Sequence, residues 1–290
     1  LRPVSFERGA DDGIAEALAA STPLRIRRSS LWFHGGYVAV GDHFILVGRD
    51  CVEATLTMRA ERGAPAPPPD ADPDAYVAAL FEEELDPRRK VILVGTDRPV
   101  PQRTARSVVV DGRERLEIVN EAAGRAQPLF HIDLFLSLAG RGPSGRYRIL
   151  VGSPGLADRM LGRATVDHGM DALFDDIAEQ LADEGFEVVR NPLPLTYADG
   201  EREIDGQTRS VRVWYFATSN NCLVQIDEDA GNQVWLPSYG HRGWSDLAAT
   251  DAENERIWQS LGFNVRTLPS FHAFAQRSGA LGCITKVLER

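Results

Sequence analysis

Twice along this sequence a helix-like stretch runs into Gly and then into a short extended run closed by Pro: LADEGFEVVRNPLP, from Leu181 to Pro194, and WQSLGFNVRTLP, from Trp258 to Pro269. No other feature limits the fold as much. A repeated unit is stable when neighbouring copies cover one another's apolar faces, so the chain is expected to build its core from stacked copies. Strand-like runs on either side extend the unit to strand, strand, helix, strand. Units of this kind make an α/β protein, either as blades set in a ring or as an open α/β sheet, and the helix-to-strand spacing permits both.

The remaining elements fit the same theme. YVAVGDHFILVGRD reads as a hairpin, with Tyr37 to Val40 and Phe44 to Val47 as β-rich runs around Gly41, Asp42 and His43. GAPAPPPDADPD, Gly63 to Asp74, is too rich in Pro for a helix interior or a central strand and reads as an exposed loop. AYVAALFEEELD has helical spacing, with Val77, Leu80 and Phe81 on one face, and KVILVGTD is a short apolar strand. PLFHIDLFLSLAG and RYRILVGSPG read as buried strands, DALFDDIAEQLADEG as an amphipathic helix stopped at Gly185, and VRVWYFATSNNCLVQI as further strand followed by a turn at DEDAGNQ. The helical DAENERIWQSLG then leads to the strand FNVRTLP.

Composition narrows the function classes. The chain has 290 residues, of which 43% are hydrophobic, enough for a sizeable core in a single domain spanning 1–290 with the Pro-rich loop at 63–74. No stretch approaches the roughly 18 consecutive apolar residues of a membrane span, and the opening LRPVSFERGADDG has no signal-peptide core. A soluble, cytoplasmic protein with no membrane partner is expected. The first residue is Leu1, so an initiator Met and a preceding segment are expected to be missing from this sequence. A net charge of -10 without a long Lys/Arg run argues against nucleic acid as a partner, and RIRR at Arg25 to Arg28 is too short to alter that. Cys51, Cys222 and Cys283 are an odd number at wide separations, which fits free thiols in a reducing compartment. Nothing fixes the oligomeric state.

The residues able to carry chemistry are few. Cys283, in SGALGCITKVLER, follows Gly279 and Gly282, which would let backbone and substrate come close to the sulfur; it reads either as a nucleophile or as a small packed hydrophobe. His131 and Asp133, two apart in the strand-like FHIDLF, would share a face, as a general base beside a substrate anchor or as a hydrogen-bonded structural pair. His34 with Gly35 and Gly36 reads most simply as a turn before a strand. Asn220 and Asn221 read as turn caps, and His241, His272 and Trp244 stand in loops that can line a pocket. No metal-ligand spacing, phosphate loop or dinucleotide fingerprint is present, and GRGPSG at Gly140 to Gly145 lacks the Lys and Ser/Thr of a phosphate loop, so no metal or cofactor is expected.

Taken in order, LWFHGGYVAVGDHFILVG, PLFHIDLFLSLAG, SNNCLVQI and SGALGCITKVLER resemble the guanidino-group-modifying, or pentein, superfamily, which includes arginine deiminase, agmatine deiminase, dimethylarginine dimethylaminohydrolase and the amidinotransferases. The resemblance runs from about Leu31 to the end. It implies a pentein αβ-propeller of ββαβ blades around a central pocket, the first blade incomplete, and a guanidine or amidine substrate attacked without a cofactor. Cys283 would be the nucleophile and His131 the general acid and base, with Asp133, His34, Gly35, Gly36 and Asn221 as substrate-binding residues. The Glu that precedes the family's Gly-Gly is His34 here, deiminase-like members have Asp where this chain has Tyr37, and the family's early Arg-Asp motif is not recognisable. Two readings follow: a cysteine-dependent hydrolase or amidinotransferase with an altered substrate, or a catalytically silent pentein that binds a ligand or a protein.

Overall fold

The Gly-Phe pair shared by the two repeated segments is the end of a helix in both. Gly185 and Gly262 have φ of 91° and 89°, the left-handed region that suits Gly. Phe186 N–H donates to the carbonyl of Leu181 and Gly185 N–H to that of Ala182; Phe263 and Gly262 make the same two bonds to Trp258 and Gln259. This is the paired-bond helix stop in which Gly turns the chain and the next residue buries its side chain, here Phe186 and Phe263.

The computed structural model describes residues 13–27, 29–163, 169–227 and 229–285. The opening twelve residues, Arg28 of the basic cluster, Glu228 of the DEDAGNQ turn and the last five residues of the Cys283 segment lie outside the described residues. Helix α1 (Ile14–Ser21) buries no residue. The first unit follows as β1 (Val38–Val40), β2 (Phe44–Gly48), helices α2 (Asp50–Glu61) and α3 (Pro73–Leu85), and β3 (Lys90–Val94). A hairpin of β4 (Thr104–Val110) and β5 (Arg113–Val119) leads to the second unit: β6 (Leu136–Arg141), β7 (Tyr147–Ser153), α4 (Pro154–Met160), α5 (Asp171–Asp183) and β8 (Glu187–Pro192). A second hairpin, β9 (Leu195–Ile204) and β10 (Gln207–Phe216), precedes the third unit, β11 (Leu223–Gln225), β12 (Gln233–Pro237), α6 (Ala248–Ser260) and β13 (Asn264–Leu268), and α7 (His272–Ala275) comes last.

In each unit the first two strands pair antiparallel and the last returns parallel to the second. The two hairpins between units join through parallel β5 and β10 into a sheet ordered β4-β5-β10-β9. The fold is therefore mixed α/β with four small sheets, none of which closes on itself. Helix α5 contacts β3 of the unit before it as well as its own β7 and β8, and α6 does the same with β8 and β13. Leu46, Ile92 and Val94 consequently share one core with Ile149, Val151 and Phe174, while Ala139 and Leu150 share another with Val234, Leu236 and Trp258. Among the described residues no helix is long and apolar enough to cross a membrane.

Three local readings change. The Pro-rich loop ends at Asp72, whose carboxylate accepts from the Asp74 and Ala75 N–H groups and starts α3, with Pro73 in its first turn. Tyr37 belongs to a 3-10 turn, Gly35–Tyr37, and the hairpin begins at Val38. FHIDLF is not a strand: Ile132–Leu134 form a 3-10 turn and β6 starts at Leu136. The physical reason lies in two side chains, one just upstream and one far along the chain, that take the backbone groups a neighbouring strand would have used. Gln127 Nε2 donates to the carbonyls of Leu129 and Phe130, and the Thr218 hydroxyl to that of Leu134.

Candidate active site

The registers Val38 with Val47, Leu136 with Val151 and Leu223 with Trp235 put the segment before each unit's first strand at the end where its parallel strands finish. Crevices at that end are where open α/β sheets place their ligands. The segments delivered there are His34–Tyr37, Phe130–Phe135 and Thr218–Cys222, so the repeat brings three equivalent loops together and these loops carry the polar residues singled out above.

His131, Asp133 and Cys283 converge. One nitrogen, one carboxylate oxygen and the sulfur all lie within 4.8 Å of one another, although the cysteine comes from a distant part of the chain. His131 is buried, Asp133 half-buried and Cys283 exposed. The pair meets through the 3-10 turn, not through the alternation of a strand. These atoms also make up an N, O and S donor set that a divalent cation of intermediate softness accepts, a grouping that linear spacing does not disclose.

Gly36 is built into this cluster. A Cβ there would stand 2.5 Å from His131 Nδ1 and 3.0 Å from Asp133 Oδ1, whereas a Cβ on Gly35 would meet nothing within 4 Å. Gly36→Ala is therefore expected to displace His131, cost about 1–3 kcal/mol and suppress the reactivity of the site, while Gly35→Ala leaves both nearly unchanged. Urea denaturation and cysteine alkylation of the two variants check this.

His34 is exposed and stands at the rim. Its ring lies 5.7 Å from that of His131, Tyr37 lies 4.8 Å and Phe130 4.0 Å away, and Trp32 backs both His34 and Tyr37. An aromatic collar thus surrounds the imidazole. Burial, with Asp50 and Cys51 nearby, holds the Tyr37 hydroxyl well above its ordinary range, so it is neutral.

Asn221 grips the loop that carries Cys283. Its Oδ1 accepts from Ala280 N–H at 3.0 Å and from Cys283 N–H at 3.1 Å, and its carbonyl accepts from Gly282 N–H. A Cβ on Gly282 would press on the Asn221 amide, and one on Gly279 would stand 3.3 Å from Cys283 Sγ. Those two glycines therefore serve the close packing of the loop on Asn221 and on itself. Asn221 Nδ2 and Asp133 Oδ1 are both sealed from water.

No family model and no curated protein matches this chain.

The electrostatics separate the three cysteines, all free thiols. Burial pushes the Cys222 thiol up to about 12 and Cys51 higher still, which makes both inert at neutral pH. Cys283 alone is exposed. Burial also pushes the Asp133 carboxyl up to about 7, with the Asn221 amide pulling the other way. Such a group is neutral or charged according to what lies beside it, and a bound cation favours the charged form.

The other candidates have supporting places. Asn220 exchanges amide bonds with Asn191, which donates to Asn254, and its carbonyl accepts from Ser137 at 2.9 Å, a buried polar network joining the second and third units. His272 is buried, with Nδ1 2.6 Å from the Tyr215 hydroxyl, Nε2 2.8 Å from the Tyr239 carbonyl and Trp244 stacked on its ring at 3.8 Å. Burial lowers its pKa, and the carbonyl at Nε2 assigns the proton there, so a neutral ring supports the segment that leads to Cys283. Gln127 and Ser137 went unread because their only signal is a polar side chain between apolar neighbours, and Thr218 because it stands in a polar run whose members look alike. A small cavity of about 20 Å³ lies beside the cluster, lined by Leu134, Thr218 and Gly279 with Glu121, Trp214 and Gln276.

Proposed function

We propose that the chain is a cysteine-dependent enzyme acting on a guanidine or amidine, of the deiminase-type hydrolase or amidinotransferase class, with its three units and the hairpin sheet as blades of a pentein-like αβ-propeller. The carrying observation is the convergence of His131, Asp133 and the exposed Cys283 within 4.8 Å. In this reading Asp133 takes a substrate N–H group and the positive charge of the amidinium. The Cys283 thiolate adds to the amidine carbon to form a C–S bond. The bond to the departing amine breaks as His131 gives that nitrogen a proton. Water or an acceptor amine, losing a proton to His131, then adds to the same carbon, and the C–S bond breaks to return the thiolate. The steps need no cofactor. Free cysteines and the net charge of -10 support a cytoplasmic protein that binds a small cation, with neither a membrane nor a nucleic acid as partner.

A second reading, a catalytically silent binding protein, is favoured by one observation. The rim position that the resemblance assigns to a carboxylate holds His34, leaving Asp133 as the acid of the described cluster.

Alkylation by a haloacetamidine beside neutral iodoacetamide separates the readings. The amidine should modify Cys283 selectively, and His131→Ala or Asp133→Ala should abolish the selectivity. The rate ratio of the two reagents, in which the thiolate fraction cancels, should rise as pH climbs through about 7, because Asp133 gains its charge there. Equal, slow reaction with both reagents would exclude the enzyme and leave the binding protein.

A further inference from the structure

At the opposite ends of the strands that carry the site, the first and second units form a separate, open cleft of about 270 Å³. It lies where β2, β3, β7 and β8 begin, lined by His43, Phe44 and Lys90 on one side and by Arg146, Tyr147 and Phe186 on the other. The length of β7 puts it about 20 Å from the loops of the cysteine site. The floor is aromatic: the Phe44 ring meets those of Tyr147 at 4.9 Å and Phe186 at 4.8 Å, both edge-on. All three are largely buried, and all three line the cleft.

The rim is basic in an acidic protein. Four basic residues, His43, Lys90, Arg141 and Arg146, line the cleft against one acid, Glu184. Lys90 pairs with Glu184 at 2.8 Å and Arg141 with Asp42 at 2.9 Å, outside the lining. Arg146 is fixed by the carbonyls of Gly185 and Phe186 and has no acidic partner among the described residues. Carbonyl bonds hold a guanidinium in place without cancelling its charge. The β6 to β7 ladder shifts register between Leu138 and Arg141, with Gly140 at a φ of 65°, and a bulge of this kind re-aims the side chain that follows it. That local kink brings Arg141 to the rim opposite Tyr147.

We infer that this cleft is a binding site for a small aromatic anion, its ring set against Phe44, Tyr147 and Phe186 and its carboxylate held by Arg141 and Arg146. The inference is independent of the chemistry at Cys283. Fixed cations around an apolar floor select a ligand with both properties, since either half alone forgoes the other's contribution.

Calorimetric titration with 2-naphthoate tests it, beside 2-naphthalenemethanol, which lacks the charge, and acetate, which lacks the ring. Naphthoate should bind saturably, with each comparator at least about ten-fold weaker. Amide shifts should fall on Lys90, Arg146 and Gly185. Arg141→Glu should weaken binding by at least about ten-fold, and Lys90→Glu, at a more exposed rim position, provides the same readout if the first variant fails to fold. Cys283→Ser should bind naphthoate normally. Absence of saturable binding, equal binding of acetate or of the alcohol, indifference to both charge reversals, or loss of binding in Cys283→Ser would each overturn the assignment.

Discussion

Asp133→Asn is expected to make the protein more stable at pH 8 by roughly 4 kcal/mol while removing the amidine selectivity of Cys283. The carboxyl titrates at about 7 in the folded protein and at about 3.9 in an unfolded chain. Between those values the folded state binds the proton that the unfolded state has lost, so this group's contribution to stability falls as pH rises from about 4 to 7 and stays low above that. An amide of the same shape carries no charge to desolvate and escapes the loss. Asp50 and Asp251 are also pushed up by burial, so the pH slope of the parent protein is a sum; the difference between parent and variant isolates Asp133. Urea denaturation of both proteins at pH 5 and pH 8 measures it. A difference that does not grow with pH would mean that the carboxylate is already satisfied in the folded state, and would remove the basis for its role as a cation acceptor.

Cys283→Ser is expected to reduce turnover of any amidine substrate by at least about a thousand-fold, with little change in stability. The side chain is exposed, and the bonds that hold its loop come from backbone N–H groups to Asn221, which Ser retains. A Ser hydroxyl at neutral pH is protonated and lacks the nucleophilicity of a thiolate. Cys222→Ser is the matched control, since the thiol it replaces titrates near 12 and contributes no thiolate. Steady-state rates on a panel of guanidines and amidines would show the contrast. Retention of activity in Cys283→Ser would move the chemistry away from the thiol altogether.

Much of the fold could be read locally because its main devices are local. The Gly-Phe helix stops after α5 and α6, the buried stripe of Leu173, Phe174, Ile177, Ala178 and Leu181, and the hairpin at Gly41 to His43 each use residues within a few positions of one another. Two hairpins passed over in the sequence also carry a readable mark. Asp111-Gly112 and Asp205-Gly206 have φ of 51° and 74°, and 52° and 73°, the pair of positive angles that an Asp-Gly turn supplies. Helix α2 was missed for a different reason: its buried face is Cys51, Val52, Thr55 and Met58, with β-branched and polar members that blur the apolar stripe.

The site was legible as a set of residues and not as a geometry. Strand alternation proposed that His131 and Asp133 stand side by side, and they do come together, but by a turn held by Gln127 just upstream and Thr218 far along the chain. No window of sequence around FHIDLF contains Thr218, and Gln127 just before it carries no mark of the bonds it makes. The sequence around Asn221 suggests a turn cap and gives no sign that its amide oxygen holds the backbone of the segment that carries Cys283.

That grip sets an order of events during synthesis. Asn221, His131 and Asp133 all leave the ribosome before Cys283 does, and the units they belong to can pack as they emerge, since each helix covers the strand made before it. The thiol has no imidazole or carboxylate beside it until its loop docks on Asn221. The reactivity proposed for Cys283 would thus arise only once this loop has docked, and until then the thiol would be no more nucleophilic than any other exposed thiol.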